Sequence, residues 1–328
     1  MTRLRRLLAW LFAVVVLIGL TLAGGFLWLR HEIAAPGPLA EEAIVLVPRG
    51  QGIEATAATL AASGAIRHPW LLLAASRLEP GGSIKAGEYA LAPHVSVLDL
   101  LAQLRAGRVV VRRLTVPEGL TVREVLDLVA AAPALEGEVP APPPEGSLLP
   151  ETYFYVRSDT RAALVQRMRE AMDKALAEAW AKRKDGLPLK TPQEVLTLAS
   201  IVEKETGKPE ERSRVAAVYI NRLRIGMRLQ ADPTVIHALT EGRQELGREL
   251  SRADLDTDSP YNTYRNVGLP PGPIANPGFA SLLAATSPID SREIYFVADG
   301  TGGHLFAETL AEHNRNVARF RRLRSGAP

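Results

Sequence analysis

The residues with the strongest claim to chemistry lie in Leu198-Ala199-Ser200-Ile201-Val202-Glu203-Lys204-Glu205-Thr206-Gly207, an apolar run that passes directly into two carboxylates. In a helix each residue turns by about 100°, so Glu205 shares a face with Leu198, Ile201 and Val202, whereas Glu203 shares one with Leu196, Ala199 and Ser200. Apolar surroundings disfavour the charged form of a carboxyl group and raise its pKa, which is what a general acid at neutral pH requires. Glu205 is therefore the first candidate for such an acid. Glu203, on a smaller and more polar face, suits an orienting or hydrogen-bonding carboxylate and stays a rival for the acid itself. The same residues are also compatible with an ordinary solvated helix end stopped by Gly207.

Other chemistries find little support. The six histidines, His31, His68, His94, His237, His304 and His313, are scattered, and no pair stands four apart around a glutamate as in a zinc site. Each reads best as a surface or hydrogen-bonded structural residue. There is no nucleophile elbow, Walker loop or dinucleotide fingerprint, so neither a metal nor another cofactor is expected.

The elements that must position the glutamates follow from periodicity and punctuation. Helices are expected over Thr160 to Lys184, Thr191 to Gly207 and Pro209 to Ile225, each with apolar residues three and four apart. Val109 to Val111 with Leu114 to Pro117 reads as a strand, followed by a capped helix from Thr121 to Ala131. The proline-dense stretch from Leu135 to Pro150 reads as a surface loop, Gly268 to Pro277 as a stiff loop, Glu293 to Ala298 as a late strand, and Leu310 to Arg324 as a basic final helix. Upstream, Ile44 to Pro48 reads as a short buried strand. Two helices follow, around Ile53 to Ala61 and from Pro69 to Leu78, then a strand, Ile84 to Leu91, and a helix capped by Ser96. This βααβ pattern resembles a LysM-like module, whose role could be glycan binding or that of a plain spacer.

The fold class expected is α+β: one N-terminal transmembrane helix (1–30 with its cytoplasmic tail), a stem (31–42), the LysM-like module (43–108) and a larger, helix-rich mixed domain (109–328). Leu7 to Leu29 is an uncharged run of 23 residues, about 35 Å as a helix against a hydrocarbon core of about 30 Å. Trp10 and Trp28 lie near its ends and Arg3, Arg5 and Arg6 precede it, which orients the N-terminus to the cytoplasm and the body outside it. A cleaved signal peptide ending near Ala23-Gly24-Gly25 is the alternative, but Phe26 to Leu29 continues the apolar run. The chain carries 39 basic and 36 acidic residues, and without its first 30 residues it has 35 and 36. That balance excludes the clustered positive excess of a nucleic-acid surface. The absence of cysteine excludes a disulfide scaffold, and 23% charged residues exclude a largely disordered chain.

Several ordered blocks carry a closer resemblance: Leu149-Pro150-Glu151-Thr152-Tyr153, Ala199 to Thr206, Tyr219-Ile220-Asn221-Arg222-Leu223, Met227 to Val235, Leu250 to Leu255, Tyr261-Asn262-Thr263-Tyr264, Gly268 to Ile274 and Tyr295 to Gly300. In these the chain resembles the endolytic murein transglycosylases of the MltG (YceG-like) family. The resemblance implies a membrane-anchored enzyme that cuts nascent peptidoglycan strands internally, leaves 1,6-anhydro ends and associates with peptidoglycan synthases (penicillin-binding proteins). It also implies that Glu205 is the catalytic carboxyl group, acting as acid and then base, with 109–328 the catalytic domain. On that reading Gln230, Asp232, Thr234, Asn262, Tyr264, Glu151 and Tyr153 are candidates for the substrate-binding lining, and Gly268 to Pro277 borders the cleft. Ser200 is read as a helix-packing residue, and Arg222 and Arg224 as structural ion-pair partners. Three other functions stay open: a non-catalytic wall-binding scaffold, a pyridoxal-phosphate lyase using Lys204, which the anchor topology places in the wrong compartment, and a hydrolase leaving reducing ends.

Overall fold

The computed structural model describes residues 2–243 and 246–325, so the outermost ends of the expected segments 1–30 and 109–328 lie outside the described residues. The chain is α+β and divides into two compact units, one comprising residues 1–112 with 156–158, the other 113–155 with 159–328.

The first unit begins with α1 (Thr2–Ala34), the one helix among the described residues long and apolar enough to cross a membrane. It runs past the apolar stretch: residues 31–34, expected in a stem, are helical, and Ile33 is buried in this unit's core. Strands β1 (Ala43–Val47) and β2 (Gly87–Leu91) pair antiparallel with Ala43 opposite Leu91. They enclose α2 (Ile53–Ala62) and α3 (Pro69–Leu78) in sequence, and α4 (Val97–Ala106) follows. Ser96 caps α4 by accepting the Asp99 N–H at 3.1 Å, and Gly107 ends it in the left-handed conformation that glycine adopts without strain. β1 is not the fully buried strand expected: Val45 and Val47 point inward while Ile44 and Leu46 are exposed, because a strand has two faces and only one meets this core. Arg157 donates to Glu88 at 2.9 Å, which ties residues 156–158 to this unit.

Strand β3 (Arg112–Thr115), which from Arg113 onward belongs to the second unit, pairs with β4 (Thr152–Tyr155), a strand the sequence reading missed. Val109 to Val111 are not in a strand. Helix α5 (Val122–Ala131) opens with a full capping box between Thr121 and Glu124. Then come α6 (Arg161–Ala181), α7 (Pro192–Glu205), a 3-10 turn (Pro209–Glu211), α8 (Arg212–Arg224), α9 (Asp232–Thr240), the short α10 (Arg252–Leu255) and α11 (Phe279–Thr286). The antiparallel hairpin β5 (Tyr295–Ala298) and β6 (His304–Ala307) leads into α12 (Leu310–Ser325).

Helix α7 occupies the middle of this unit, packed by α6, α8, α9 and α11. Every residue from Val195 to Val202 is buried, so the face that Glu203 shares with Leu196, Ala199 and Ser200 is interior and not solvated. Its capped start is conventional: Thr191 accepts the Glu194 N–H at 3.2 Å, with Pro192 at the first helical position. The expected surface loop, Leu135 to Pro150, and the expected stiff loop, Gly268 to Pro277, are both partly interior. Leu148, Leu149 and Pro150 are buried in one, and residues 272–278 in the other. Asn276, with no exposed surface, accepts the Leu148 N–H at 2.9 Å and donates to the Leu120 carbonyl at 2.9 Å. Ser200 does more than fill space: its hydroxyl donates to the Thr197 carbonyl at 2.7 Å and accepts the Ile274 N–H at 3.0 Å, joining α7 to the second loop. Ser200→Ala leaves that buried N–H without its partner, so denaturant unfolding should show a loss of about 1–3 kcal/mol. Retention of full stability would show that the contact contributes nothing.

Candidate active site

Glu205 is the last residue of α7, and Thr206 caps the helix. Its carboxyl group is partly buried and opens on a cavity of about 370 Å³. From the middle of α8, Tyr219 reaches the same point and donates its hydroxyl to Glu205 Oε1 at 2.6 Å. Tyr219 is 1% exposed and packs edge-on against Phe296 of β5 at 5.8 Å, so its position is fixed by packing. Burial raises the pKa of Glu205 to about 7; the Tyr219 hydrogen bond opposes this, the nearby Asp232 charge adds to it, and Arg222 opposes it. The negative end of the α7 dipole acts in the same direction as burial. Tyr219, raised well above its ordinary pKa by burial and then by Glu205, keeps its proton and remains a donor.

The opposite flank of the cavity is built by the start of α9 and the segment after α10. Gln230 is held with a positive φ of 51° by its N–H bond to the Thr263 carbonyl, and it lines the cavity beside Asp232. Asp232 opens α9 and accepts the Tyr264 hydroxyl at 2.5 Å. The cavity therefore holds two carboxyl groups in different settings: Glu205 against apolar core, and Asp232 exposed at a helix N-terminus, where negative charge is favoured.

Glu203, two residues away, faces elsewhere. Its side chain is 4% exposed; Oε1 accepts from Arg212 at 3.2 Å and Oε2 accepts the Gly278 N–H at 2.9 Å. Arg212 also binds Glu118 at 2.7 Å. Glu203 thus ties α7 to α8 and to the start of α11 and does not line the cavity. Of the other expected lining residues, Gln230, Asp232 and Tyr264 meet Glu205, and four do not. Thr234, fully buried, donates to the Ala231 carbonyl and bonds the Thr263 hydroxyl at 2.8 Å. Asn262, also fully buried, donates to the Leu255 and Thr257 carbonyls and accepts the Tyr264 N–H, so it shapes the segment that presents Tyr264. Glu151 is exposed outside the cavity, and Tyr153 donates to the Leu149 carbonyl at 2.7 Å. The loop from Gly268 to Pro277 does not border this cavity either.

Several wall residues were not among those expected to line the site. Arg222 is 6% exposed and donates to the carbonyls of Ile294 and Leu229, so it is structural but not in an ion pair. Phe296, His304 and His313 come from the β5–β6 hairpin and α12. His313 stacks on Tyr295 at 5.0 Å, and burial lowers its pKa, which keeps the ring neutral. A second cavity, about 310 Å³, includes Glu124, Lys204 and His237, but Glu124 accepts the Thr121 N–H and hydroxyl in the α5 cap and is committed there. Lys204 donates to the Gly119 carbonyl at 3.3 Å. Among the described residues no group of three or more His, Asp or Glu side chains is placed to hold a metal ion.

An α+β unit with a buried helix ending in a carboxyl group of raised pKa defines a candidate acid–base site. Residues 45–319 match the YceG-like family, and the chain belongs to that family. It is 30% identical to an endolytic murein transglycosylase of Streptococcus pneumoniae serotype 2 (strain D39) over 94% of this chain and 65% of that protein. It is 36% identical to an endolytic murein transglycosylase of Bacillus subtilis strain 168 over 54% of this chain and 48% of that protein. The chain thus spans less than two thirds of the length of either relative. The crystal structure of a yceG-like protein from Listeria monocytogenes superposes with a TM-score of 0.54 at 31% identity, covering 84% of this chain and 98% of that one.

The raised pKa has a stability consequence. Below about pH 4.5, the ordinary carboxyl value, Glu205 is neutral in both folded and unfolded states. As the pH rises from there through about 7, only the unfolded chain ionises freely, and stability is lost across that window. Glu205→Gln removes the buried charge, so its melting temperature should exceed that of the wild type at about pH 8 and equal it at about pH 4. Equal melting temperatures at both pH values would show that Glu205 has an ordinary pKa.

Proposed function

We propose that the protein is a membrane-anchored endolytic lytic transglycosylase acting on the β-1,4 bond between N-acetylmuramic acid and N-acetylglucosamine within peptidoglycan strands, and a terminator of strand elongation. The observation that carries the reading is the Glu205 carboxyl group, poised near pKa 7 at the wall of an open cavity and gripped by Tyr219. Membership of the YceG-like family and the names of the relatives support it.

On this reading Glu205 first gives its proton to the glycosidic oxygen as the C1–O bond breaks. The carboxylate that results is the form Tyr219 stabilises, so the hydrogen bond strengthens as the reaction proceeds. The carboxylate then takes the proton from the C6 hydroxyl of the same muramic acid residue, whose oxygen closes on C1 as a 1,6-anhydro ring. Glu205 ends protonated, ready for the next bond, and no water is consumed. Asp232, oriented by Tyr264, offers negative charge to the cationic sugar intermediate, and Gln230 offers an amide to its polar substituents. Asp232 also supports one rival: two carboxyl groups in one cavity suit a hydrolase that activates water.

Helix α1 would hold the body at the outer face of the cytoplasmic membrane, with the arginines before the apolar run inside. The first unit would contribute glycan affinity as a LysM-like module, and peptidoglycan synthases would be the partners.

Mass spectrometry of uncrosslinked glycan strands treated with the full-length protein in detergent tests the reaction. Internal 1,6-anhydro ends are expected from wild type and are lost in Glu205→Gln, whereas folded Glu203→Gln retains them. Products heavier by one water would establish the hydrolase, and absence of any product from folded protein would favour a scaffold. Because the acid must start protonated, kcat/KM should fall roughly tenfold per pH unit above about pH 7. Tyr219→Phe removes a bond to the charged form and should move that limb to higher pH while lowering kcat. A limb unmoved in Tyr219→Phe would show that the hydroxyl does not govern Glu205.

A further inference from the structure

Of the cavity's walls, the one formed by the β5–β6 hairpin carries a feature that the proposed acid–base cycle does not use. His304 opens β6 and is gripped twice by Glu211, the last residue of the 3-10 turn that follows α7. Glu211 Oε1 accepts the His304 main-chain N–H at 3.0 Å, and Oε2 lies 2.7 Å from ring Nδ1. Both side chains are largely shielded, at 13% and 15% exposure. The ring is also fixed edge-on against Phe296 at 5.1 Å and sits beside Phe306 at 6.1 Å. Gly303 leaves room for the carboxylate: a Cβ there would lie 2.6 Å from Glu211 Oε1, so a larger residue would make the Glu211 side chain shift.

A carboxylate bonded to Nδ1 selects the tautomer in which Nδ1 carries the proton, which leaves Nε2 as a lone-pair acceptor in the neutral ring. His304 lines the same cavity as Glu205, and Nε2 is not among the buried atoms lacking a partner. A purely structural tie between the turn and the hairpin would need only the main-chain N–H, which any residue at this position supplies. The fixed ring and its oriented nitrogen go beyond that need.

We propose that His304 contacts the substrate, with Nε2 accepting a hydroxyl of the bound saccharide, and that Glu211 is its positioning residue. The inference rests on the glycan-cleaving reading of the cavity. It also gives the segment after α7 two jobs, because Glu205 and Glu211 are joined by the short stretch from Thr206 to Glu210.

The test uses the full-length protein in detergent micelles with uncrosslinked glycan strands as the probe. His304→Phe keeps a ring against Phe296 and removes both nitrogens; its kcat/KM for anhydro ends should fall roughly tenfold to a hundredfold, the loss of one or two well-made hydrogen bonds. Glu211→Gln should fall less and should raise KM more than it lowers kcat, because the contact atom remains but its orientation is loosened. In a ¹⁵N-histidine-labelled Glu205→Gln protein, the His304 Nε2 resonance, assigned by its absence in a folded His304→Gln variant, should shift on adding glycan. Wild-type kcat and KM in folded His304→Phe overturn the inference and leave the proposed function intact. A wild type that makes no anhydro ends overturns the proposed function instead. Should either that or misfolding of His304→Phe occur, the resonance decides: movement with glycan supports the contact, and no movement at saturating glycan overturns it.

Discussion

The rest of the second unit depends on one constraint, the delivery of a carboxyl group to a cavity at the end of a helix whose middle is wholly buried. Helix α7 is buried from Val195 to Val202, so α6, α8, α9 and α11 must surround it before Glu205 has an environment at all. Tyr219 then decides how far the carboxyl group is displaced from its ordinary behaviour. Burial alone would push the proton affinity higher, and the hydroxyl at 2.6 Å draws it back toward neutrality. That balance, burial against one hydrogen bond, is what makes an acid useful near pH 7.

The same helix end separates two glutamates that differ by only two positions. A shift of about 200° around the axis sends Glu203 away from the cavity and into a closed network with Arg212 and the Gly278 N–H. There both oxygens have partners, which a buried polar group needs if it is not to destabilise the fold. Glu205 has one protein donor and an open side. The contrast between complete and incomplete satisfaction distinguishes the structural carboxylate from the reactive candidate.

The cavity is completed by segments far apart in the chain. Asp232 and Tyr264 hold each other across its rim, Arg222 braces α8 against Ile294 by its carbonyl, and the β5–β6 hairpin brings aromatic surface and His304 to the remaining wall. Buried side chains such as Asn262, Thr234 and Asn276 act one layer back, satisfying main-chain groups in irregular segments that could not otherwise be interior. The apparent suitability of Asn262 and Thr234 as sugar ligands in the sequence reflects the fact that the same polar groups serve both purposes.

Local information was sufficient for much of this protein. The long apolar run of α1, the caps at Ser96, Thr121 and Thr191, and the periodicity of α6, α7 and α8 are properties of neighbouring residues, and the observed helices follow them within a few positions. Helical geometry alone also separated Glu205 from Glu203. The short strands β4 and β6 were not read from the sequence; each owes its existence to the partner strand it pairs with. Nor could the sequence distinguish Tyr264 and Asp232, which reach the cavity, from Thr234 and Asn262 beside them, which do not. Spacing along the chain reports which residues share a face. Which face meets water, a cavity or another helix is decided only when distant segments pack, and at this site that packing also sets the proton affinity of the carboxyl group.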